Sequence, residues 1–264
     1  MQMISVNGVN LHYADTGVAT GTALVFLNSL GTDFRIWDHV VPAFEDRFRI
    51  VRADKRGHGL SQCVPGGYGL SDLVGDVEAL CDALGVDQVI AVGLSVGGLI
   101  AQGFAARSPD RVPALILCDT ASRIGDAATW TSRMSMIEQD GLGAIADAVL
   151  ERWFPPSFKA AHPAAYSGWH AMLTRTPTEG YLATCAILKD TDHTAETKAL
   201  KMPALCLCGS ADGATPPALV KATADMMPNA RFVEIPEAGH VPCIDQPDAV
   251  IRAMKSFFEE HGLV

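Results

Sequence analysis

A chain of 264 residues, 48% hydrophobic and only 19% charged, is long enough for one large α/β domain with a substantial core. Thirty acidic against 20 basic residues leave a net charge of −10 at pH 7. That field repels phosphate backbones and anionic lipid surfaces, so neither nucleic acid nor a membrane is an expected partner, and an anionic small molecule would need a local cation to hold it.

The chain opens on strand-like sequence, Met1-Gln2-Met3-Ile4-Ser5-Val6, without the basic and long apolar segments of an export leader. Short β-branched runs then recur at 9–13, 23–27, 48–51, 89–92, 114–117, 204–207 and 231–235, each bounded by turn residues. The middle runs are apolar on both faces, as parallel strands covered by helices are. Helical periodicity lies between them, for instance at 70–84, closed by Gly85, and at 99–107, closed by Ser108-Pro109. This alternation predicts a doubly wound α/β sheet.

The alternation fails once, from about 122 to 200, where helical patterns follow one another without a strand. The expected organisation is a core of 1–121 and 201–264 interrupted by a helical cap at 122–200. Three of the four tryptophans, Trp130, Trp153 and Trp169, fall in the cap, where they either face a pocket as part of a lid or fill the cap's own core. The most apolar stretch, 89–101, is broken by Gly and Ser and is shorter than the roughly 20 residues a bilayer requires. With no leader-like opening and no spanning stretch, a soluble, cytoplasmic protein is expected. Seven cysteines, an odd number with no C-x-x-C pair and no zinc spacing, predict reduced thiols and no structural metal.

Gly93-Leu94-Ser95-Val96-Gly97 follows an apolar strand and precedes a helical run, the context of a nucleophile elbow. A serine on so sharp a turn is crowded by the residues two before and two after it, so both must lack side chains. The hydroxyl needs a histidine base, and the histidine needs a carboxylate to fix its tautomer. In this architecture the order is Ser, acid, His. Of the histidines after Ser95, only His240, in Pro236-Glu237-Ala238-Gly239-His240, lies just past a terminal strand; His162, His170 and His193 fall in the cap and His261 in the tail. Two acids follow strands, Asp119 and Asp212, and the Gly-x-x-Asp turn of Gly209-Ser210-Ala211-Asp212 after the later strand favours Asp212. Asp119 is then expected to hold the turn into the cap. The oxyanion hole is expected from the backbone N–H groups of Val96, at the head of the helix, and Leu30, in the loop after the 23–27 strand.

These motifs resemble the α/β-hydrolase superfamily and, within it, the 3-oxoadipate enol-lactonases. The likeness runs through Asn28-Ser29-Leu30-Gly31-Thr32-Asp33, Arg52-Ala53-Asp54-Lys55-Arg56-Gly57-His58-Gly59-Leu60-Ser61, the elbow, Asp119-Thr120-Ala121-Ser122-Arg123-Ile124-Gly125, Glu151-Arg152-Trp153-Phe154 and Gly180-Tyr181-Leu182-Ala183-Thr184-Cys185-Ala186. Many relatives carry His-Gly where this chain has Asn28-Ser29, a departure that a backbone donor tolerates. The resemblance implies a mostly parallel eight-stranded sheet flanked by helices, a helical cap, and hydrolysis of a small enol-lactone bearing an acetate arm, without cofactor or metal. Such a substrate calls for a cation in the pocket, preferably an arginine. The cap offers Arg123, Arg133, Arg152 and Arg175, of which Arg133 is favoured by its early position; Trp153 is a second pocket candidate. Another carboxylesterase, a C–C bond hydrolase, a perhydrolase or a non-catalytic ligand receptor would share the same triad residues, and a haloalkane dehalogenase would need an aspartate at position 95.

Overall fold

The computed structural model describes residues 1–19 and 21–263. Strands β1 (Gln2–Val6) and β2 (Val9–Gly17) form a hairpin through Asn7-Gly8, both with positive φ as a two-residue hairpin turn requires. They attach antiparallel to β4 (Arg49–Ala53). From there the sheet is parallel through β3 (Ala23–Leu27), β5 (Val89–Leu94), β6 (Ala114–Cys118), β7 (Ala204–Gly209) and β8 (Ala230–Ile235). The eight strands lie in the order β1-β2-β4-β3-β5-β6-β7-β8, so the expected eight-stranded, mostly parallel architecture is present. Strands β3, β5, β6 and β7 are buried at every position, which is why they read as unbroken apolar runs.

Alternate residues of each central strand feed two apolar layers. Val25, Ala91 and Leu115 point to one side, beneath α1 (Leu70–Ala83), α2 (Val96–Arg107) and α9 (Pro217–Ala224). Phe26, Val92 and Ile116 point to the other, beneath α11 (Pro247–Glu260), whose face carries Val250, Met254, Phe257 and Phe258. Helix α2 begins at Val96, three residues before the periodicity starts. Gly97 and Gly98 are poor helix formers, but the elbow packing described below fixes that first turn.

Between β6 and β7 come α3 (Ala127–Asp140), α4 (Gly143–Trp153), α5 (Pro156–Ala161), α6 (Pro163–Thr174), α7 (Thr178–Asp190) and α8 (Thr194–Ala199). Helix α8 returns to the core, where Thr197 donates to the Gln102 side chain of α2 at 2.6 Å. The cap has no separate core: Trp130 and Trp153 are buried in the same apolar layer as Phe26 and Phe257, and only Trp169, half-buried on α6, faces a cavity. Low in the core, Asp76 of α1 accepts both a 2.7 Å bond and a 2.5 Å bond from Arg56, a buried pair that ties the loop after β4 to the helical layer.

Candidate active site

All the catalytic candidates stand at the carboxyl edge of the sheet, where a parallel α/β fold gathers its loops. Ser95 links β5 to α2 with φ 57° and ψ −120°, a strained left-handed turn that lifts the side chain out of the strand. Its neighbours show why the elbow is glycine-rich. A Cβ on Gly93 would lie 2.3 Å from the Gly97 carbonyl oxygen, one on Gly97 would lie 2.2 Å from the Leu27 carbonyl oxygen, and one on Gly98 would collide with the Thr120 side chain. The Ser95 backbone is held on both sides, its N–H donating to the Cys118 carbonyl at 3.0 Å and its carbonyl accepting from the Thr120 hydroxyl at 2.6 Å.

Asp212 and His240 meet across two loops. The Asp212 Oδ2 lies 2.9 Å from His240 Nδ1, with both side chains buried. Burial alone would push the Asp212 carboxyl up; the His240 charge, together with hydrogen bonds from His240, Thr215 and the Ala214 N–H, outweighs it and holds the group below the usual carboxylate range. Thr215 donates its hydroxyl to Oδ2 at 2.6 Å, and the Ala214 and Thr215 N–H groups donate to Oδ1 at 2.7 and 3.0 Å. The carboxylate is therefore fixed in one rotamer, and Asp212 orients the ring from the Nδ1 side. No hydrogen bond joins Ser95 to His240 among the described residues, a contact that acyl-transfer sites tighten when substrate arrives.

The two loops are packed back to back. A Cβ on Gly209 would lie 2.0 Å from the Gly239 carbonyl oxygen, and one on Gly239 would lie 2.1 Å from the Trp153 carbonyl oxygen. The His240 N–H donates to that same Trp153 carbonyl at 2.9 Å, so the end of α4 holds the histidine loop. Asp245, on the short helix α10 (Pro242–Asp245), accepts from the Gly239 N–H at 2.7 Å; burial pushes its carboxyl up to about 6. Asp119 sits behind the pair, fully buried, its Oδ1 accepting from the Gly209 N–H at 2.8 Å. Burial and then the neighbouring Asp212 charge raise its carboxyl well above the ordinary range. Asp119 thus organises the acid loop and does not touch the imidazole. Asp119, Cys208 and Asp212 bring ligand-type atoms within 4.8 Å of one another, but a cation there would compete with His240 for Asp212.

The loop after β3 supplies Leu30. Its N–H has no acceptor among the described residues, and Val96, the first residue of α2, has none within its helix. The cap rests directly on this loop: Gly31 (φ +74°) would place a Cβ 2.5 Å from Leu173 and 3.0 Å from the Tyr181 ring. Tyr181 is fully buried, and burial pushes its phenol up against the opposing charges of Arg133 and, more weakly, Arg152. Arg133 is half-buried, with its guanidinium 4.7 Å over the Trp130 ring and no carboxylate within ion-pair distance among the described residues. Of its rivals, Arg123 is exposed and lies 3.5 Å from Asp192, Arg152 packs its stem against Gly213 beside the acid turn, and Arg175 lines an outer groove. The Trp153 side chain is buried in the core against Phe154, while its carbonyl does the positioning.

That outer groove, about 1110 Å³, lies between α6 and the loops after β3 and β4, with Thr32, Phe34, Leu60, Trp169 and Met172 in its walls. Ser95 and His240 do not line it. The elbow and the Asp212–His240 pair are the candidate reacting centre, because acyl transfer needs a nucleophile, a base and an orienting acid whatever the volume beside them.

Thr215, Asp245 and Tyr181 were not among the sequence candidates. Thr215 had a local signal, an Asp-x-x-Thr turn after the strand; the others become visible only when the loops are brought together.

The geometry agrees with what the chain resembles. Residues 22–150 match the alpha/beta hydrolase fold family, and residues 175–263 match a family described as TAP-like protein. The chain is 32% identical to 3-oxoadipate enol-lactonase 2 of Acinetobacter baylyi over 96% of its own length and 94% of that protein. Among solved structures it resembles the enol-lactonase from Burkholderia xenovorans LB400, at TM-score 0.94 and 36% identity over 98% of this chain and 100% of the other. It also resembles a thermophilic esterase from Thermogutta terrifontis with malate bound, at TM-score 0.91 and 30% identity over 98% of this chain and 99% of the other. No helix among the described residues is long and apolar enough to cross a membrane. The chain belongs to the α/β-hydrolase family, as a serine ester hydrolase that resembles the 3-oxoadipate enol-lactonases.

Proposed function

We propose that the chain opens a small anionic lactone of the 3-oxoadipate enol-lactone type to the free diacid, with Ser95 as nucleophile, His240 as base and Asp212 as the acid that orients it. Nε2 of His240 takes the Ser95 proton as Oγ adds to the lactone carbonyl. The resulting oxyanion is held by the N–H groups of Leu30 and Val96. Collapse breaks the ring C–O bond, and the proton on Nε2 of His240 passes to the departing enolate, which becomes a ketone tethered in the acyl-enzyme and leaves His240 neutral again. Water, deprotonated by His240, then adds to the acyl carbonyl, and as the acyl C–O bond breaks His240 returns the proton to the Ser95 Oγ, releasing a second carboxylate.

The observation that carries the substrate class is Arg133, a half-buried cation without an acidic partner, whose charge bears on Tyr181 where that ring packs over Gly31 of the oxyanion loop. A carboxylate arm held there would be gripped by a cation next to the cap residue that packs over the oxyanion loop, in a protein whose net charge otherwise repels it. The esterase relative with malate bound lends weight to a pocket for small dicarboxylates. A cytoplasmic setting suits the seven cysteines, all free.

The test compares kcat/KM for 3-oxoadipate enol-lactone with that for p-nitrophenyl acetate, and repeats both with Ser95→Ala. A preference for the lactone of about 10³-fold or more, with both activities lost in Ser95→Ala, supports the reading. Faster turnover of the neutral ester would leave a carboxylesterase using the same residues, and activity surviving in Ser95→Ala would remove Ser95 as nucleophile.

A further inference from the structure

Lys55 is a buried lysine that the proposed mechanism leaves unused. It follows Asp54 in the loop after β4 and is only 8% exposed. No carboxylate lies within ion-pair distance of its ammonium among the described residues. The two hydrogen-bond acceptors it has are main-chain carbonyls, Ser29 at 2.5 Å and Thr32 at 3.5 Å. Both belong to the loop after β3, one on each side of Leu30 and Gly31.

The Ser29 carbonyl and the Leu30 N–H are the two ends of one peptide unit. No cis bond occurs among the described residues, so in this planar trans unit the C=O and N–H point in opposite directions, and fixing the oxygen fixes the hydrogen. The same oxygen also accepts the Thr32 hydroxyl at 2.9 Å and, more loosely, the Thr32 N–H at 3.4 Å. A cation on the carbonyl does more than hold it: drawing electron density toward oxygen makes the attached N–H a stronger donor, as hydrogen bonds in series do. A buried ammonium is costly to maintain, and this one spends its bonds on a single loop. We propose that Lys55 is a positioning residue for the oxyanion hole, its ammonium aligning and polarising the Ser29–Leu30 peptide so that the Leu30 N–H meets the developing oxyanion.

Burial lowers the Lys55 ammonium to about 7, against the opposing charges of Asp54 and Asp33. His58, also buried, is kept neutral by burial and by the adjacent Lys55 charge, and Asp76 on α1 is already committed to Arg56. The polarising charge is therefore present below neutral pH and is withdrawn as pH rises through this range.

The inference rests on the Ser95 and Leu30 reading, but not on the identity of the lactone, so p-nitrophenyl acetate is the probe. In Lys55→Met, kcat is expected to fall roughly tenfold or more below pH 7 with KM within about twofold, since the donor acts on the transition state and not on the bound ester. Lys55→Arg, which keeps a cation, should recover much of the loss. Thr32→Val, which removes an uncharged bond to the same carbonyl, should cost less than Lys55→Met and serves if the lysine variants fail to fold. In the wild type, kcat should decline on the alkaline side of about 7 beyond any decline in Lys55→Met. A folded Lys55→Met with unchanged kcat, or a Thr32→Val as slow as Ser95→Ala with unaltered fold, overturns the proposal while leaving Ser95 in place. Activity surviving in Ser95→Ala overturns the functional reading and this inference with it.

Discussion

The carboxyl edge of the sheet and the cap that covers it are held in different ways. At the sheet edge the contacts are backbone to backbone: Gly93 against Gly97, Gly97 against Leu27, Gly209 against Gly239, each close enough that a single methyl would collide. In the cap Gly141, Gly143 and Gly168 have nothing within 4 Å of a Cβ, and a cap glycine is crowded by main chain only where α7 meets the loop after β4, a Cβ on Gly180 lying 2.1 Å from the Gly57 carbonyl oxygen; over the oxyanion loop the cap's contacts are the side chains Tyr181 and Leu173. Main-chain contacts leave little room for variation and suit groups that must keep one geometry. Side-chain contacts can be exchanged without moving the backbone. If the reaction depends on the core edge and the choice of substrate on the cap, as proposed above, the two can be perturbed separately.

The largest expected effect separates two buried acids of the core. Asp212→Asn leaves the shape of the acid loop but removes the charge that orients and stabilises the imidazolium, and kcat should fall roughly 10³- to 10⁴-fold. Asp119→Asn keeps an acceptor for the Gly209 N–H, tolerates the positive φ of 46°, and should change kcat less than about tenfold. Steady-state rates on one ester for both variants decide the matter; the reverse ranking would make Asp119 the acid.

Next comes the junction between the two regions. Gly239→Ala places a methyl 2.1 Å from the Trp153 carbonyl oxygen and breaks the bond that holds His240, so it should cost about 1–3 kcal/mol or more, with kcat falling more than KM rises. Gly168→Ala, in the open interior of α6, should instead stabilise by roughly 0.5–1 kcal/mol. Thermal melts of both variants give the comparison, and equal shifts would dissolve the contrast between crowded core and open cap.

The cap's part is sharpened by Arg133→Ala. Loss of one charge-assisted contact should raise KM for the anionic lactone about 10- to 100-fold while p-nitrophenyl acetate stays within about twofold. A parallel loss on both substrates would mean that Arg133 supports Tyr181 and Trp130 structurally and is not a carboxylate clamp.

The same division governs what could be read from the residues alone. Ser95, Asp212 and His240 are legible as candidates because each comes after a strand that is read locally, and the glycine pattern around Ser95 records a steric demand made by near neighbours. The strands and the cap followed from periodicity. The apolar periodicity of α2 shows only from Leu99, because Gly97 and Gly98 carry no side chains to mark a face; the strand-to-helix context of the elbow is what places the helix head at Val96. Lys55 and Tyr181 stand only within longer stretches of family likeness, and Asp245 in none: their roles come from carbonyls, N–H groups and ring faces delivered by distant segments, and main-chain groups look alike in every sequence.

Asp245 gives the finest measure of how tightly the core edge is built. Its Oδ2 holds the Gly239 N–H, its Oδ1 is buried without a hydrogen-bond partner among the described residues, and burial raises its carboxyl to about 6. A carboxyl whose value is raised on folding favours the folded state fully only below its unfolded value of about 4. As pH rises from there to about 6, the unfolded chain gives up the proton first, and that contribution is lost. Asp245→Asn keeps an acceptor for Gly239 and cannot ionise, so its melting temperature relative to wild type should be higher at pH 8 than at pH 4.5. Because the bond to Gly239 survives the substitution, the His240 loop should keep its place and kcat should stay within about threefold. A melting difference that does not change between the two pH values would mean that the Asp245 carboxylate is paid back by solvent or by a local rearrangement, and that this corner of the core edge is looser than the glycine contacts around it imply.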